Sequence, residues 1–212
     1  MKKNENLKID PWSASTHSKE EFDYINKSKF NSIIEKILNH EGGYANNKYD
    51  RGGETKFGIT KRFMEEYKYA LPQGKAIPIK ALTVDNAKSL YKALWDRYNL
   101  GYIRDKNLAY VIFDYMINSY ARTVAKRIQR ILNSRGASLI VDGEIGPKSL
   151  TAIHNSDKRW LMDEILKNRQ HCHKEDVGKN PEQIVFYAGW MNRLNKIAET
   201  TGSSLHFSPK LN

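Results

Sequence analysis

Glu41 directly precedes Gly42 and Gly43, at the end of a segment with helical periodicity. Glycine commonly follows the last residue of a helix, so we expect a helix to end near Glu41. A carboxylate in the last helical turn faces the negative end of the helix dipole, which raises its pKa. Such a group can stay protonated near neutral pH and act as a general acid, as cleavage of a glycosidic bond requires.

A second carboxylate would complete such a site, and Asp50 and Glu54 are the candidates in the following loop. The two carboxyl groups of a glycosidase lie about 6.5 to 9.5 Å apart in an inverting mechanism and about 5 to 5.5 Å apart in a retaining one. Tyr44 and Phe57 offer flat faces to sugar rings. On spacing alone, however, a Glu before two glycines is usually a solvated helix end, and both interpretations stay open.

The apolar pattern predicts the elements that position these residues. One apolar stripe with helical spacing runs through Phe30, Ile33, Ile34, Ile37 and Leu38. Residues 42–60 are rich in turn formers and end in β-favouring residues, which predicts a loop or short hairpin. Similar stripes predict further helices near residues 84–98, 110–117, 124–132, 160–168 and 184–198, and one that begins near Pro147. The sequence therefore predicts an all-α fold with a short loop or hairpin next to the Glu41 helix.

The composition limits the environment and the partners. Lys and Arg number 35 against 24 acidic residues, a formal net charge of +11, which predicts an anionic partner such as nucleic acid, acidic lipid or a wall polymer. The single cysteine, Cys172, excludes an intramolecular disulfide. The first residues lack the apolar core of a signal peptide, and no apolar run approaches the roughly 20 residues of a membrane span. We expect synthesis in the cytoplasm and no membrane anchor.

Residues 37–60 resemble the glycoside hydrolase family 108 muramidases, in which a helix ends in Glu-Gly-Gly-Tyr and Gly-Gly-x-Thr-x-Phe-Gly-Ile-Thr follows. These motifs are residues 41–44 and 52–60 here. The stretches FDYMINSYARTVAKRIQRIL and VDGEIGPKSL are similar to the peptidoglycan-binding region of these proteins, and FYAGWMNRL near the end is a further likeness. The resemblance covers about residues 28 to 198.

The resemblance implies a lysozyme-like enzyme that cleaves the β-1,4 bond between N-acetylmuramic acid and N-acetylglucosamine in peptidoglycan, without a metal or other cofactor. Glu41 falls on the family's catalytic glutamate. Many relatives read Asn-Asp-Pro-x-Asp between the glycine pairs; here the first Asp is replaced by Asn47, and Asp50 is retained. We therefore expect Asp50 or a water-positioning Thr55 to support Glu41. Substrate contacts are expected from Gly43, Tyr44, Gly53, Phe57 and Asn118.

The resemblance implies the two central regions of the chain, and polar ends without a sustained period indicate a partly ordered arm and a loosely held tail. We expect an N-terminal arm over 1–27, a catalytic lysozyme-like region over 28–115, a helical peptidoglycan-binding region over 116–205 packed on it, and a tail over 206–212. The chain is expected to act as a monomer on the glycan strands of the wall, in the periplasm or outside, after release. Phage-type lysis and wall remodelling during secretion both fit this activity.

Two other functions are compatible with parts of the sequence. A protein with this fold but without catalysis could bind the wall or assist secretion, although the intact Glu41 favours an enzyme. The basic residues of 121–135, followed by a glycine turn and a helix, suggest a DNA reader. The turn at residues 142–147 belongs to the wall-binding resemblance and disfavours that reading, so no nucleic acid partner is expected. His171 and His173 lack the second ligand pair that a zinc site requires.

Overall fold

The computed structural model describes residues 18–38, 43–46 and 53–211. Within these ranges the chain forms eight α-helices and one three-stranded antiparallel sheet. The helices are α1 (Lys19–Leu38), α2 (Lys61–Tyr67), α3 (Val84–Arg97), α4 (Lys106–Ile117), α5 (Ala121–Asn133), α6 (Pro147–Asn155), α7 (Lys158–Lys179) and α8 (Ile184–Thr201). The strands are β1 (Ala45–Asn46), β2 (Glu54–Lys56) and β3 (Ile59–Thr60), in that order across the sheet. The prediction of an all-α fold with a short hairpin is confirmed.

Four of these helices begin at a single N-capping residue. Thr60, Thr83, Asp105 and Asp157 each accept a hydrogen bond from a backbone N–H in the first turn of α2, α3, α4 and α7. Such caps satisfy donors that have no partner inside the helix and typically contribute about 1 kcal/mol. Pro147 occupies the first turn of α6, where its missing N–H costs nothing, so the predicted start of this helix is confirmed.

α1 begins at Lys19, inside the segment 1–27 that we expected to be a partly ordered arm. The early turns of the helix are held by tertiary contacts. The ring of Phe22 stacks on Tyr102 with centroids 4.6 Å apart, and the side-chain oxygen of Asn26 accepts a hydrogen bond of 2.8 Å from the indole of Trp95. These are isolated contacts without an apolar period, so a search for periodicity misses them.

Lys29 anchors the same helix from a buried position. Its Nζ donates to the carbonyl oxygens of Gly101 and Ile103, at 2.8 and 2.7 Å. Burial lowers the pKa of this amine to about 8. A Cβ at Gly101 would collide with the side chain of Asn26, so the close approach of this turn to α1 requires glycine.

α4 forms the centre of the fold. Every residue from Leu108 to Ile117 is buried, and the helix contacts α1, α5 and α7. A helix that is apolar on all sides is buried on all sides, and Asp114 is the one charged residue in this stretch.

Across the described ranges, no helix has both the length and the apolar composition needed to cross a membrane.

The end of the chain is more firmly held than we expected of a tail. Phe207 is buried, and its backbone N–H and carbonyl both bond to the side chain of Asn195, at 2.7 and 2.9 Å. Phe207 is therefore anchored to α8, within the segment 206–212 that we expected to be a tail. A single aromatic residue among polar ones has no periodicity that would reveal its burial.

Candidate active site

The sheet follows α1 in the chain and carries several of the residues singled out from the sequence. Thr55 lies in the central strand, where it is paired with Ala45 of β1 and with Thr60 of β3. Its side chain is half-buried. Because the central strand is hydrogen-bonded on both sides, the position of Thr55 is held more firmly than that of a loop residue.

Phe57 and Gly58 form the two-residue turn between β2 and β3. Both have positive φ, at 55° and 75°, as a type I′ hairpin turn requires. Positive φ is unusual for a bulky residue, and two contacts hold Phe57 there. Its carbonyl accepts a hydrogen bond of 2.7 Å from the buried Tyr91 hydroxyl, and its ring packs against the core. Phe57 is therefore half-buried, with part of its ring accessible.

Two lysine side chains lie next to the aromatic rings beside the sheet. The Lys80 Nζ lies 5.0 Å from the centre of the Tyr44 ring, and the Lys56 Nζ lies 5.4 Å from that of Phe57. Lys56 also donates to the Lys80 carbonyl at 2.8 Å. Tyr44 is 41% exposed. The sheet therefore presents an accessible aromatic residue with two positive charges beside it, an arrangement suited to a polar ligand with flat ring faces.

The two glycines named from the sequence take different conformations. Gly53 has a φ of 66° at the entry to β2, in the left-handed region that favours glycine. Gly43 is exposed, and a Cβ there would meet no other atom. Glu41 and Asp50, the two acidic residues predicted to take part in the reaction, lie outside the described residues. In the sequence Glu41 falls between α1 and β1, and Asp50 between β1 and β2.

Asn118 lies at the end of α4, where its side-chain amide donates to the Asp114 carbonyl at 2.8 Å. It also lines a cavity of about 500 Å³ between α4, α7 and α8, which we call the seam cavity. Its other lining residues include Tyr110, Asp114, Arg169, His173, Trp190, Arg193 and Lys196. Sequence reasoning named only Asn118 among them, although Trp190 and Arg193 lie in the FYAGWMNRL stretch of the resemblance.

Asp114 is the electrostatic centre of the seam cavity. Arg169 Nη1 lies 2.6 Å from one of its carboxylate oxygens, and Arg193 Nη2 lies 2.7 Å from the other. Burial raises the pKa of Asp114, but the two guanidinium groups outweigh it and hold the pKa below its ordinary value. Asp114 is therefore an ionised structural group rather than a proton donor.

His171, Cys172 and His173 are adjacent in the chain but enter different surroundings. His171 is exposed and lies 3.4 Å from Glu175, whereas the ring of His173 stacks on Trp190 at 4.5 Å. Cys172 accepts a long hydrogen bond of 3.5 Å from the Tyr115 hydroxyl. No cluster of three or more His, Cys, Asp or Glu side chains placed to hold a metal ion occurs in the part of the chain that the structure describes.

Comparison with known proteins divides the chain into two matched regions. Residues 34–119 match the family model described as Glycosyl hydrolase 108, and residues 123–195 match the model described as Predicted Peptidoglycan domain. Among solved structures, SagA from Brucella abortus superposes with a TM-score of 0.68 at 22% identity, over 82% of this chain and 94% of SagA. No curated protein sequence matches the chain.

The two matched regions define a peptidoglycan hydrolase, and its fold is the mostly helical one that the sequence predicted. Residues 34–119 belong to the glycosyl hydrolase 108 family, and a peptidoglycan domain follows them. The seam cavity lies where these regions meet, because α4 belongs to the first and α7 to the second.

Proposed function

We propose that the chain is a muramidase in which Glu41 donates a proton to the leaving sugar oxygen. The cleaved bond is the β-1,4 linkage between N-acetylmuramic acid and N-acetylglucosamine. Water adds to the anomeric carbon, so that each cleavage produces a new reducing end on N-acetylmuramic acid and a free hydroxyl on N-acetylglucosamine. The observation that carries this proposal is the glycosyl hydrolase 108 match over residues 34–119, which includes Glu41 and the elements on either side of it.

Asp50 and Thr55 are proposed to hold or activate the attacking water. A hydroxyl on a strand paired on both sides can hold a water molecule at a constant position, and Thr55 is such a residue. A carboxylate can accept a proton from that water, and Asp50 is the acidic residue that the family motif retains. The acid and the water-holding group would then act together on one glycosidic bond.

The remaining residues are proposed to bind the glycan strand. Tyr44 is accessible for stacking on a sugar ring, and Phe57 borders it at the turn of the sheet. Gly43 leaves its backbone open to a bulky ligand, and Gly53 shapes the loop. Asn118 is proposed to hydrogen-bond a polar group of the strand from the end of α4.

The partner and the place of action follow from the substrate. We propose that the chain works as a monomer on peptidoglycan strands, beyond the cytoplasmic membrane and after release from the cell interior. The formal charge of +11 supports attraction to an anionic wall. Phage-type lysis and wall remodelling for secretion are the two settings in which this activity would serve.

Mass spectrometry of digested peptidoglycan tests the proposal directly. Purified sacculi are digested with the protein, the soluble products are reduced with borohydride, and the reduced sugar is identified. We expect reduced N-acetylmuramic acid at the new ends. Reduced N-acetylglucosamine would show cleavage of the other glycosidic bond, and 1,6-anhydro ends would show a reaction without water; either result would overturn the proposal.

A further inference from the structure

A cavity of about 700 Å³ lies within the peptidoglycan domain, between the loop that follows α5, helix α6 and the start of α7. Its described lining residues all fall in the range from Leu132 to Trp160, inside the second matched region. Glu41, Asp50 and Thr55 belong to the first matched region. We call this space the domain cavity. Its volume is in the usual range for small-ligand sites.

Apolar side chains form part of the lining of the domain cavity. Leu132 is buried, whereas Leu139, Ala152 and Trp160 are half-buried. The guanidinium carbon of Arg135 lies 4.3 Å from the centre of the Trp160 ring, so one face of this ring is already occupied. The apolar surface that remains suits the C–H groups of a sugar ring or the methyl of an acetamido group.

Three uncharged polar side chains line the same cavity and are exposed to solvent. They belong to Ser138, Thr151 and Asn155. Each of these side chains can both donate and accept a hydrogen bond, and none of them bonds to another residue within the described ranges. Their hydrogen-bonding groups are therefore available to a ligand that enters from solvent.

The loop that carries Ser138 is held in place by α5. The side chain of Asn133 bonds both the N–H and the carbonyl of Leu139, at 2.7 and 2.8 Å. Ser138 has a φ of 53°, which is uncommon for a residue other than glycine. Because neighbouring contacts fix this loop, a ligand that bonds Ser138 pays little entropy to order it.

The charges of the lining favour a neutral ligand. Arg135 and Lys148 are exposed cations, and Asp157 is a carboxylate. Arg135 lies on the Trp160 ring, and one oxygen of Asp157 accepts the backbone N–H of Trp160 at 2.7 Å. A carboxylate or phosphate ligand could only accept hydrogen bonds, whereas the uncharged lining groups both donate and accept. A ligand with hydroxyl and amide groups uses both capacities.

We propose that the domain cavity binds N-acetylated sugars of a peptidoglycan glycan strand, with Ser138, Thr151 and Asn155 bonding their hydroxyl and acetamido groups. The inference rests on the proposed function, since it concerns the same substrate. Such a sugar combines groups that donate and accept with an apolar ring face and a methyl, and each finds a counterpart in the lining. A strand bound both here and at Glu41 would stay attached between cleavages, because linked contacts raise the effective concentration.

Titration with chitotetraose, a β-1,4-linked chain of N-acetylglucosamine, tests this inference. Chitotetraose lacks N-acetylmuramic acid and therefore the bond proposed for cleavage. The readout is the indole N–H signal of Trp160 in a proton–nitrogen NMR spectrum, identified by its loss in Trp160→Phe. We expect chitotetraose to shift this signal to saturation, and cellotetraose, which has no acetamido groups, to bind at least about threefold more weakly. No shift with chitotetraose, or equal affinity for the two sugars, would overturn the inference.

Variants then locate the binding. Thr151→Val keeps the shape of the side chain and removes its hydroxyl, and Asn155→Leu removes the amide; each should raise the Kd for chitotetraose by about three- to tenfold, the usual effect of one lost hydrogen bond. Thr123→Val, at an exposed position of α5 outside the cavity lining, is the matched control and should bind like wild type. Circular dichroism establishes that each variant is folded. Wild-type affinity in both cavity variants would place the sugar elsewhere and refute the proposal.

The titration requires no hydrolysis, so it separates the two proposals. A saturable shift of the Trp160 signal without new N-acetylmuramic acid ends on sacculi would refute the muramidase proposal and leave the cavity proposal standing. New N-acetylmuramic acid ends without that shift would refute the cavity proposal alone.

Discussion

Asp114 on α4 and Arg169 on α7 form a buried ion pair, with 2.6 Å between the carboxylate oxygen and Nη1. The carboxylate belongs to the glycosyl hydrolase 108 region and the guanidinium to the peptidoglycan domain. Arg193 on α8 bonds the other carboxylate oxygen. The two regions are therefore joined by charged hydrogen bonds inside the core and form one structural unit.

Asp114→Asn should lower the free energy of unfolding by about 3 to 5 kcal/mol, because it leaves the buried guanidinium group of Arg169 without its counter-charge. Urea denaturation followed by circular dichroism measures this. Glu199→Gln, at an exposed position near the end of α8, is the matched control and should change stability by less than about 1 kcal/mol. A similarly small loss for Asp114→Asn would show that the pair does not hold the regions together.

Glu41→Gln should reduce the rate of peptidoglycan clearing by roughly 10² to 10⁴, because the amide keeps the shape of the side chain and cannot donate the proton. The melting temperature should stay near the wild-type value. Turbidity of purified sacculi is the assay, and Glu35→Gln, at an exposed position of α1, serves as the control. Clearing by Glu41→Gln at the wild-type rate would exclude this residue as the general acid.

Thr55→Val and Thr60→Val form a matched pair of substitutions in neighbouring strands. Thr60 accepts the first-turn hydrogen bond of α2 at 3.1 Å, so its loss should cost about 0.5 to 2 kcal/mol of stability and little turnover. Thr55→Val should lower turnover and keep stability, if its hydroxyl positions water. Melting temperature and kcat are measured on both proteins. A Thr55→Val protein with unchanged kcat would remove this residue from the reaction.

His173 should make the protein less stable in mild acid. Its pKa falls from an ordinary 6.5 to about 3 on folding. Between pH 6.5 and pH 3, His173 is therefore protonated in the unfolded chain and neutral in the folded chain. Stability is then lost as the pH falls from 6.5 towards 3, by up to about 1.4 kcal/mol per pH unit. His154, whose pKa is also lowered by burial, adds a loss of the same sign. The slope difference between wild type and His173→Phe, from urea midpoints at several pH values, isolates His173; parallel slopes would contradict the prediction.

Wall binding should weaken as salt rises, since the exposed basic side chains of α5 would be screened. Arg122 and Arg130 are exposed on this helix, whereas Arg127 turns inward and donates to the Tyr115 hydroxyl at 2.8 Å. The screening length falls from about 10 Å at 0.1 M salt to about 3 Å at 1 M. Pull-down on sacculi should show less retention at high salt and for Arg130→Gln, but not for the exposed control Arg159→Gln. If retention on sacculi does not change with salt concentration, sugar and peptide contacts rather than charge dominate wall binding.

Local patterns in the sequence were enough to predict most helices, and the family resemblance of the motif around Glu41 predicted the class of enzyme. The apolar stripe that ends at Leu38 and the helix start at Pro147 are each contained in a short segment, and both were found as predicted. The two glycine pairs are equally local and lie in the region that matches the glycosyl hydrolase 108 model. Such features are visible because helix periodicity and turn chemistry depend on neighbours in the chain. For the same reason, the motif around Glu41 was recognisable without any knowledge of the tertiary structure.

The early turns of α1, the anchored Phe207 and the seam cavity were decided by the tertiary structure alone. Asp114 meets Arg169 and Arg193 across separations of 55 and 79 residues, and Asn26 meets Trp95 across 69. Polar contacts of this kind form one at a time between elements that are distant in the chain. Because they carry no period, no local window of sequence can reveal which polar side chains become buried partners and which stay in water.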